Sequence, residues 1–207
     1  MTLAQSLADF QTRLVACDDL TAAAHKVDGN GDFLFTEPQR QQITVAAFLN
    51  MFIAWEGFLE DAITKFMSGT LPTNGNPVVR YVSPPNQESA RTFIIGINKY
   101  FDYANHDNVK KISRLYFQNG YPIEPHISSI ASDLADLRTM RNSSAHISST
   151  TQRALDAFAQ RVFSTPQPGI SLYRLLTTTL PAPTTSQTVF QDSQQKLLSA
   201  ATLIASG

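Results

Sequence analysis

Residues 37–67 constrain the fold more than any other stretch. Ile43, Ala47, Asn50, Ala54, Phe58, Ala62 and Phe66 recur every three or four positions, and Val45, Phe48, Phe52, Trp55, Leu59 and Ile63 widen the stripe. That period belongs to a helix. Thr36-Glu37-Pro38 supplies a start signature, a cap residue followed by an early acid and a first-turn proline. Ser68-Gly69 supplies the stop. Roughly thirty residues at 1.5 Å each make a rod of about 45 Å. A helix this apolar packs on several sides, so it is expected at the centre of a bundle.

The rest of the chain reads as further helices. Leu3, Leu7, Phe10, Leu14 and Val15 mark an amphipathic helix over 3–26. Asp28-Gly29-Asn30-Gly31-Asp32 is a turn that leads into Phe33-Leu34-Phe35 and closes a short hairpin. As a calcium loop it fails, because Phe33 and Gln39 stand where glycine and glutamate are needed. Residues 70–87 form a Pro/Asn/Gly-rich loop with an edge-strand candidate at 78–82. Helices are expected over 88–103, over 108–117 with Asp107 as cap, over 124–140, and from about Ser149 until Pro166. A short helix at 172–176 and a last helix at 189–204 flank a Pro/Thr linker at 181–186. With no internal repeat and no long alternating pattern, the expected class is all-α. Residues 1–207 are read as a single helical domain, with 166–207 a C-terminal helical appendage.

Composition narrows the function. Sixteen Lys+Arg against seventeen Asp+Glu give a net charge of −1, unlike a protein that coats nucleic acid through a basic surface. A local positive site stays open. Cys17 is the one cysteine, so an intrachain disulfide and a cysteine-based zinc site are excluded, and Cys17 is expected as a small buried hydrophobe. Gln5 and Asp9 interrupt any leader-like apolar segment, and Val45–Ile53, broken by Asn50, is too short to span a bilayer. A cytoplasmic protein without membrane contact is expected. His25, His106 and His126 lack the Glu-x-x-His and His-Glu-x-x-His spacings of helical metal sites, and no glycine-rich phosphate loop is present. Neither a metal nor a cofactor is expected.

The chemistry concentrates in Arg141-Asn142-Ser143-Ser144-Ala145-His146. Arginine is a permanent cation that holds a phosphate through two hydrogen bonds. Histidine shuttles a proton near neutral pH. Cleaving RNA without metal needs a base for the 2′-hydroxyl, an acid for the leaving 5′-oxygen and a cation for the phosphorane. On a continuous helix, residues five apart lie about 140° from each other, so the pair converges only if the helix ends between them. Asn142, Ser143 and Ser144 cap helices better than they extend them, so a break is expected there. One pair supplies part of the machinery, and two pairs across a two-fold axis would supply all of it. Arg138, one turn earlier, is read mainly as a solvated side chain and alternatively as added positive charge at the site. Arg153, seven residues after His146, is read mainly as a surface ion pair. The plain alternative is structural: His146 caps a helix and Arg141 pairs with Asp136 or Glu56.

This segment resembles the HEPN superfamily, helical bundles that carry R-x4-6-H with a polar residue, often Asn, after the Arg. Trp55-Glu56-Gly57-Phe58-Leu59-Glu60-Asp61 is similar to the long early helix of the RiboL-PSP type, which has an acid near aromatics. The resemblance covers about 36–165. It implies a HEPN-like core with N- and C-terminal helical additions, acting as a metal-independent endoribonuclease and homodimer, often in toxin–antitoxin or phage-defence systems. It assigns catalysis to Arg141 and His146, with Asn142 as the accompanying polar residue and Glu56 in support; Ser143, where relatives are often more basic or apolar, and Arg138 are further supporting candidates. RNA and an antitoxin are the implied partners. A catalytically inactive module that binds a protein or a nucleotide is the alternative.

Overall fold

Thr36 opens the long helix as its sequence requires. Its backbone N–H and its hydroxyl both donate to the Gln39 side-chain oxygen, at 2.9 Å each, and the helix then runs over Glu37–Met67. The computed structural model describes residues 2–145, 148–181 and 186–207, and its regular elements are helices. They are α1 (Leu3–Ala24), α2 (Glu37–Met67), α3 (Gln87–Ile95), α4 (His106–Tyr116), α5 (Ile123–Ser129), α6 (Ala131–Ala145), α7 (Ser149–Phe163), α8 (Leu172–Thr177) and α9 (Val189–Ser206). A 3-10 turn lies at Gln118–Gly120. Among the described residues the β pairings are isolated bridges, Val27–Phe33, Arg80–Phe117 and Thr179–Thr188. The chain is all-α. Most of the 181–186 linker lies outside the described residues.

Several boundaries differ from the sequence expectation, each for a local reason. The helix expected over 88–103 stops at Ile95, because Gly96 takes φ +57° and turns its N–H onto the Thr92 carbonyl. The one expected over 124–140 is two. Ile130 leaves helical geometry (φ −117°, ψ 23°), and Ser129 bonds its hydroxyl back to the His126 carbonyl at 2.8 Å, competing with the helical ladder. The cap of α4 is Asn105, which accepts the Asp107 N–H at 3.1 Å, rather than Asp107. That of α7 is Ser148, joined to Thr151 in a reciprocal capping box. The Asp28 turn forms with its bridge from Val27 to Phe33. Its carboxylate accepts N–H groups of Asp32 and Asn30, which hold it below the usual carboxylate range.

The chain divides into two compact units. The first comprises Met1–Thr12, Ile53–Leu134 and Lys196–Gly207, and the second Arg13–Phe52 and Ala135–Gln195. In the first unit, Phe10 stacks on Phe58 at 5.5 Å and lies 6.1 Å from Trp55. All three rings are at most 3 % exposed. The apolar stripe of 52–59 is therefore core, as its period demands. Around it Lys65, 2 % exposed, donates to the Asp61 carboxylate at 2.7 Å and to the Ser6 hydroxyl. Ser6 and Gln87 also donate to Asp61, at 2.8 and 2.9 Å. In the second unit Leu14, Phe48, Met51, Leu155, Leu175 and Phe190 are buried, as is Cys17, whose thiol burial pushes up. Asp156 fastens the loop after α7 by accepting the Gly169 N–H at 3.0 Å. The helix α2 is long and apolar enough to cross a membrane, and half of its most apolar window is buried in the protein.

Gly120 has little room for a side chain. It sits at φ +70°, where a Cβ would lie 2.6 Å from Glu124 Cβ and 3.3 Å from Arg114 Cγ. Arg114 and Glu124 form an ion pair across it at 2.5 Å. Gly120→Ala is expected to cost about 1–3 kcal/mol, from left-handed strain plus that collision. Chemical denaturation at neutral pH checks this, and an unchanged midpoint would contradict it.

Candidate functional site

The helix α6 carries the Arg/His segment further than its sequence foretells. A break is expected within 142–144, yet the described backbone stays helical through Ala145. The serines explain the difference. Ser143 donates to the Met140 carbonyl at 2.7 Å and Ser144 to the Arg141 carbonyl at 2.6 Å. Each hydroxyl is satisfied inside the preceding turn instead of capping an end. The chain is helical again from Ser149, with Ser148 extended as its cap. His146 lies outside the described residues.

Arg141 is exposed. Its guanidinium has neither ion pair nor hydrogen bond among the described residues. Arg138 is half-buried one turn before it, close enough along the helix to share a face. Asn142 is exposed and Ser143 half-buried. The alternative pairing of Arg141 with Asp136 does not form: the two stand five apart on the continuous helix α6, about 140° from each other, and Arg161 of α7 reaches that carboxylate instead. Glu56 is half-buried on α2, in the unit that contains the Phe10–Trp55–Phe58 rings. Arg138, Arg141, Asn142 and Ser143 belong to the other unit. Arg153 was expected in a surface ion pair. It is exposed near the start of α7 and has no such pair among the described residues. An uncompensated guanidinium can receive a phosphate without first giving up a carboxylate.

At the start of α7 the Ser148 hydroxyl accepts the Thr151 N–H at 3.2 Å, and Thr151 returns the bond to the Ser148 N–H at 2.9 Å. The Ser149 and Thr150 amides precede the first helical carbonyl that could serve them. That leaves donors and a positive helix end beside the segment, a setting that attracts anions.

The other histidines have separate duties. His25 Nδ1 donates to the Thr21 carbonyl at 2.8 Å and Nε2 pairs with the Tyr173 hydroxyl at 3.1 Å. His126 is held below its usual pKa by burial. No group of three potential metal ligands occurs among the described residues. Sequence reading missed Thr44, which is fully buried and has a hydroxyl without a hydrogen-bond partner among the described residues. The signal was there: Thr44 precedes Ala47 and Phe48 by three and four residues, so it lies on the buried stripe of α2.

Set against protein-family models, curated proteins and solved structures, the chain gives no significant match.

Proposed function

We propose that this protein is a metal-independent endoribonuclease of HEPN type, working as a homodimer through Arg141 and His146. The observation that carries the reading is Arg141: an exposed arginine with no carboxylate partner among the described residues, on the last turns of α6, within an R-N-x-x-A-H string. The all-α class supports it, as does the position of Arg141 on the last turns of α6. In this reading His146 takes the proton from the 2′-hydroxyl or gives one to the departing 5′-oxygen. Arg141 neutralises the phosphorane with two parallel N–H bonds. Asn142 orients the phosphate, and Arg138 adds charge one turn away. Two copies divide the acid and base roles between them. A neutralising antitoxin is the expected protein partner.

The mechanism requires the 2′-hydroxyl as nucleophile. A mixed RNA oligonucleotide pool is expected to be cut in EDTA to 2′,3′-cyclic phosphate ends, and its 2′-O-methyl counterpart to stay intact. Cleavage of both, or products with a 5′-phosphate, would overturn the proposal. Light scattering is expected to give twice the chain mass.

A further inference from the structure

The first unit carries an exposed apolar face built around the Arg80–Phe117 bridge. Both bridge side chains turn inward: Phe117 is fully buried, and Arg80 donates to the Phe66 carbonyl at 3.3 Å. Side chains alternate along an extended segment, so Val79 and Tyr81 are left on the outer side. The Tyr81 N–H donates to the Tyr116 carbonyl at 2.9 Å, and the Tyr116 hydroxyl donates to the Phe93 carbonyl at 3.1 Å. These bonds bring the end of α3 beside Tyr81. Gly96 then stops α3, and the chain runs on through Ile97 to Tyr100. Val79, Tyr81, Phe93 and Tyr100 are 53–75 % exposed, and Ile97 is wholly so.

Size and charge say what covers this face. At about 200 Å² for a large side chain in full view, these five expose about 700 Å². The largest apolar patch on an ordinary monomer is about 300–600 Å², whereas each partner in a stable complex buries about 800 Å². From Gly75 to Phe101 the charged residues are Arg80, Glu88, Arg91 and Lys99. Arg80 is turned inward, and Arg91 pairs with Glu60 at 2.6 Å and with Glu88 at 3.4 Å. That leaves Lys99 as the one of the four without an ion pair among the described residues. RNA and anionic lipid are held by clustered cations, and one lysine is too few. A face rich in Tyr and Phe and poor in charge has the composition of a protein interface core. A second copy presents the same face, so the two match in polarity and in area.

We infer that a second copy of this chain docks on the face formed by Val79, Tyr81, Phe93, Ile97 and Tyr100, apolar side against apolar side about a two-fold axis. The inference deepens the ribonuclease reading, on whose homodimer it rests, by giving that dimer its surface.

Analytical ultracentrifugation of the full chain, from about 1 to 100 µM, tests it on the wild type, Tyr81→Glu, Ile97→Glu and Val15→Glu. Each residue is exposed, so the fold survives the change, which circular dichroism verifies. Val15 belongs to the other unit and serves as the control. The wild type and Val15→Glu are expected to be dimers. The two face variants are expected to dissociate at least about thirtyfold more readily, the scale of losing an interface anchor. A wild type that is monomeric at about 100 µM would overturn the inference. So would an unchanged dimer in either face variant, or equal dissociation of Val15→Glu. A monomer whose face variants lose binding to a 2′-O-methyl RNA, or to vesicles of anionic lipid, would overturn it and reassign the face. Cleavage of RNA is read on the same samples. A wild-type dimer that leaves RNA intact would sink the ribonuclease reading and keep the interface. An active enzyme whose dimer survives both face variants would do the reverse.

Discussion

Asp61→Asn is expected to cost about 3–5 kcal/mol, because it strands a buried ammonium. Lys65 is 2 % exposed and reaches its charge partner at 2.7 Å. The reverse change, Lys65→Met, is expected to cost less, since the Asp61 side chain is 27 % exposed and keeps the Ser6 and Gln87 donors. The double replacement Asp61→Leu with Lys65→Met removes both charges, and is expected to recover most of the loss. Urea denaturation of the four proteins at pH 7 checks the order. Equal losses from the two single changes would contradict the account.

The same network sets an acid limit. Burial alone would push the Asp61 carboxyl up. The hydrogen bonds from Lys65, Ser6 and Gln87, with the Lys65 charge, outweigh it and hold the carboxyl below its usual value. A depressed folded pKa stabilises the protein above the unfolded value, about 3.9, and that contribution fades as pH falls through the folded one. Stability is therefore expected to drop below about pH 4 in the wild type, and to drop less steeply in the double replacement.

Arg141→Ala is expected to lower RNA cleavage by about 10²–10³-fold while leaving the fold intact, the scale of losing one preorganised charge donor to a transition state. The side chain is exposed and holds no ion pair among the described residues, so its removal breaks no packing. Arg141→Lys keeps the charge but loses the planar fork, and is expected to restore only a small part of the rate. Full activity in Arg141→Ala would remove it from the mechanism. Full rescue by lysine would reduce its role to a point charge.

Long elements were legible because their period is redundant. Thirty-one residues of α2 repeat one pattern with a cap in front, so a few exceptions leave it readable. Short elements turned on single contacts that composition does not reveal. The kink at Ile130 and the persistence of α6 through Ser143 and Ser144 both depend on which carbonyl a serine hydroxyl meets. The same residue type ends one helix and extends another. At the candidate site, the residue types and their spacing came from the sequence, whereas the pairing of Asp136 with Arg161 needed the packing of α6 with α7.

The most direct test of the ribonuclease reading is cleavage of a mixed RNA pool in EDTA by the purified wild type and by His146→Ala, each verified as folded by circular dichroism. The wild type is predicted to cut and the variant to lose at least about 10²-fold, the usual contribution of a positioned acid or base. Equal cleavage by both proteins, or none by a folded wild-type dimer, would contradict it.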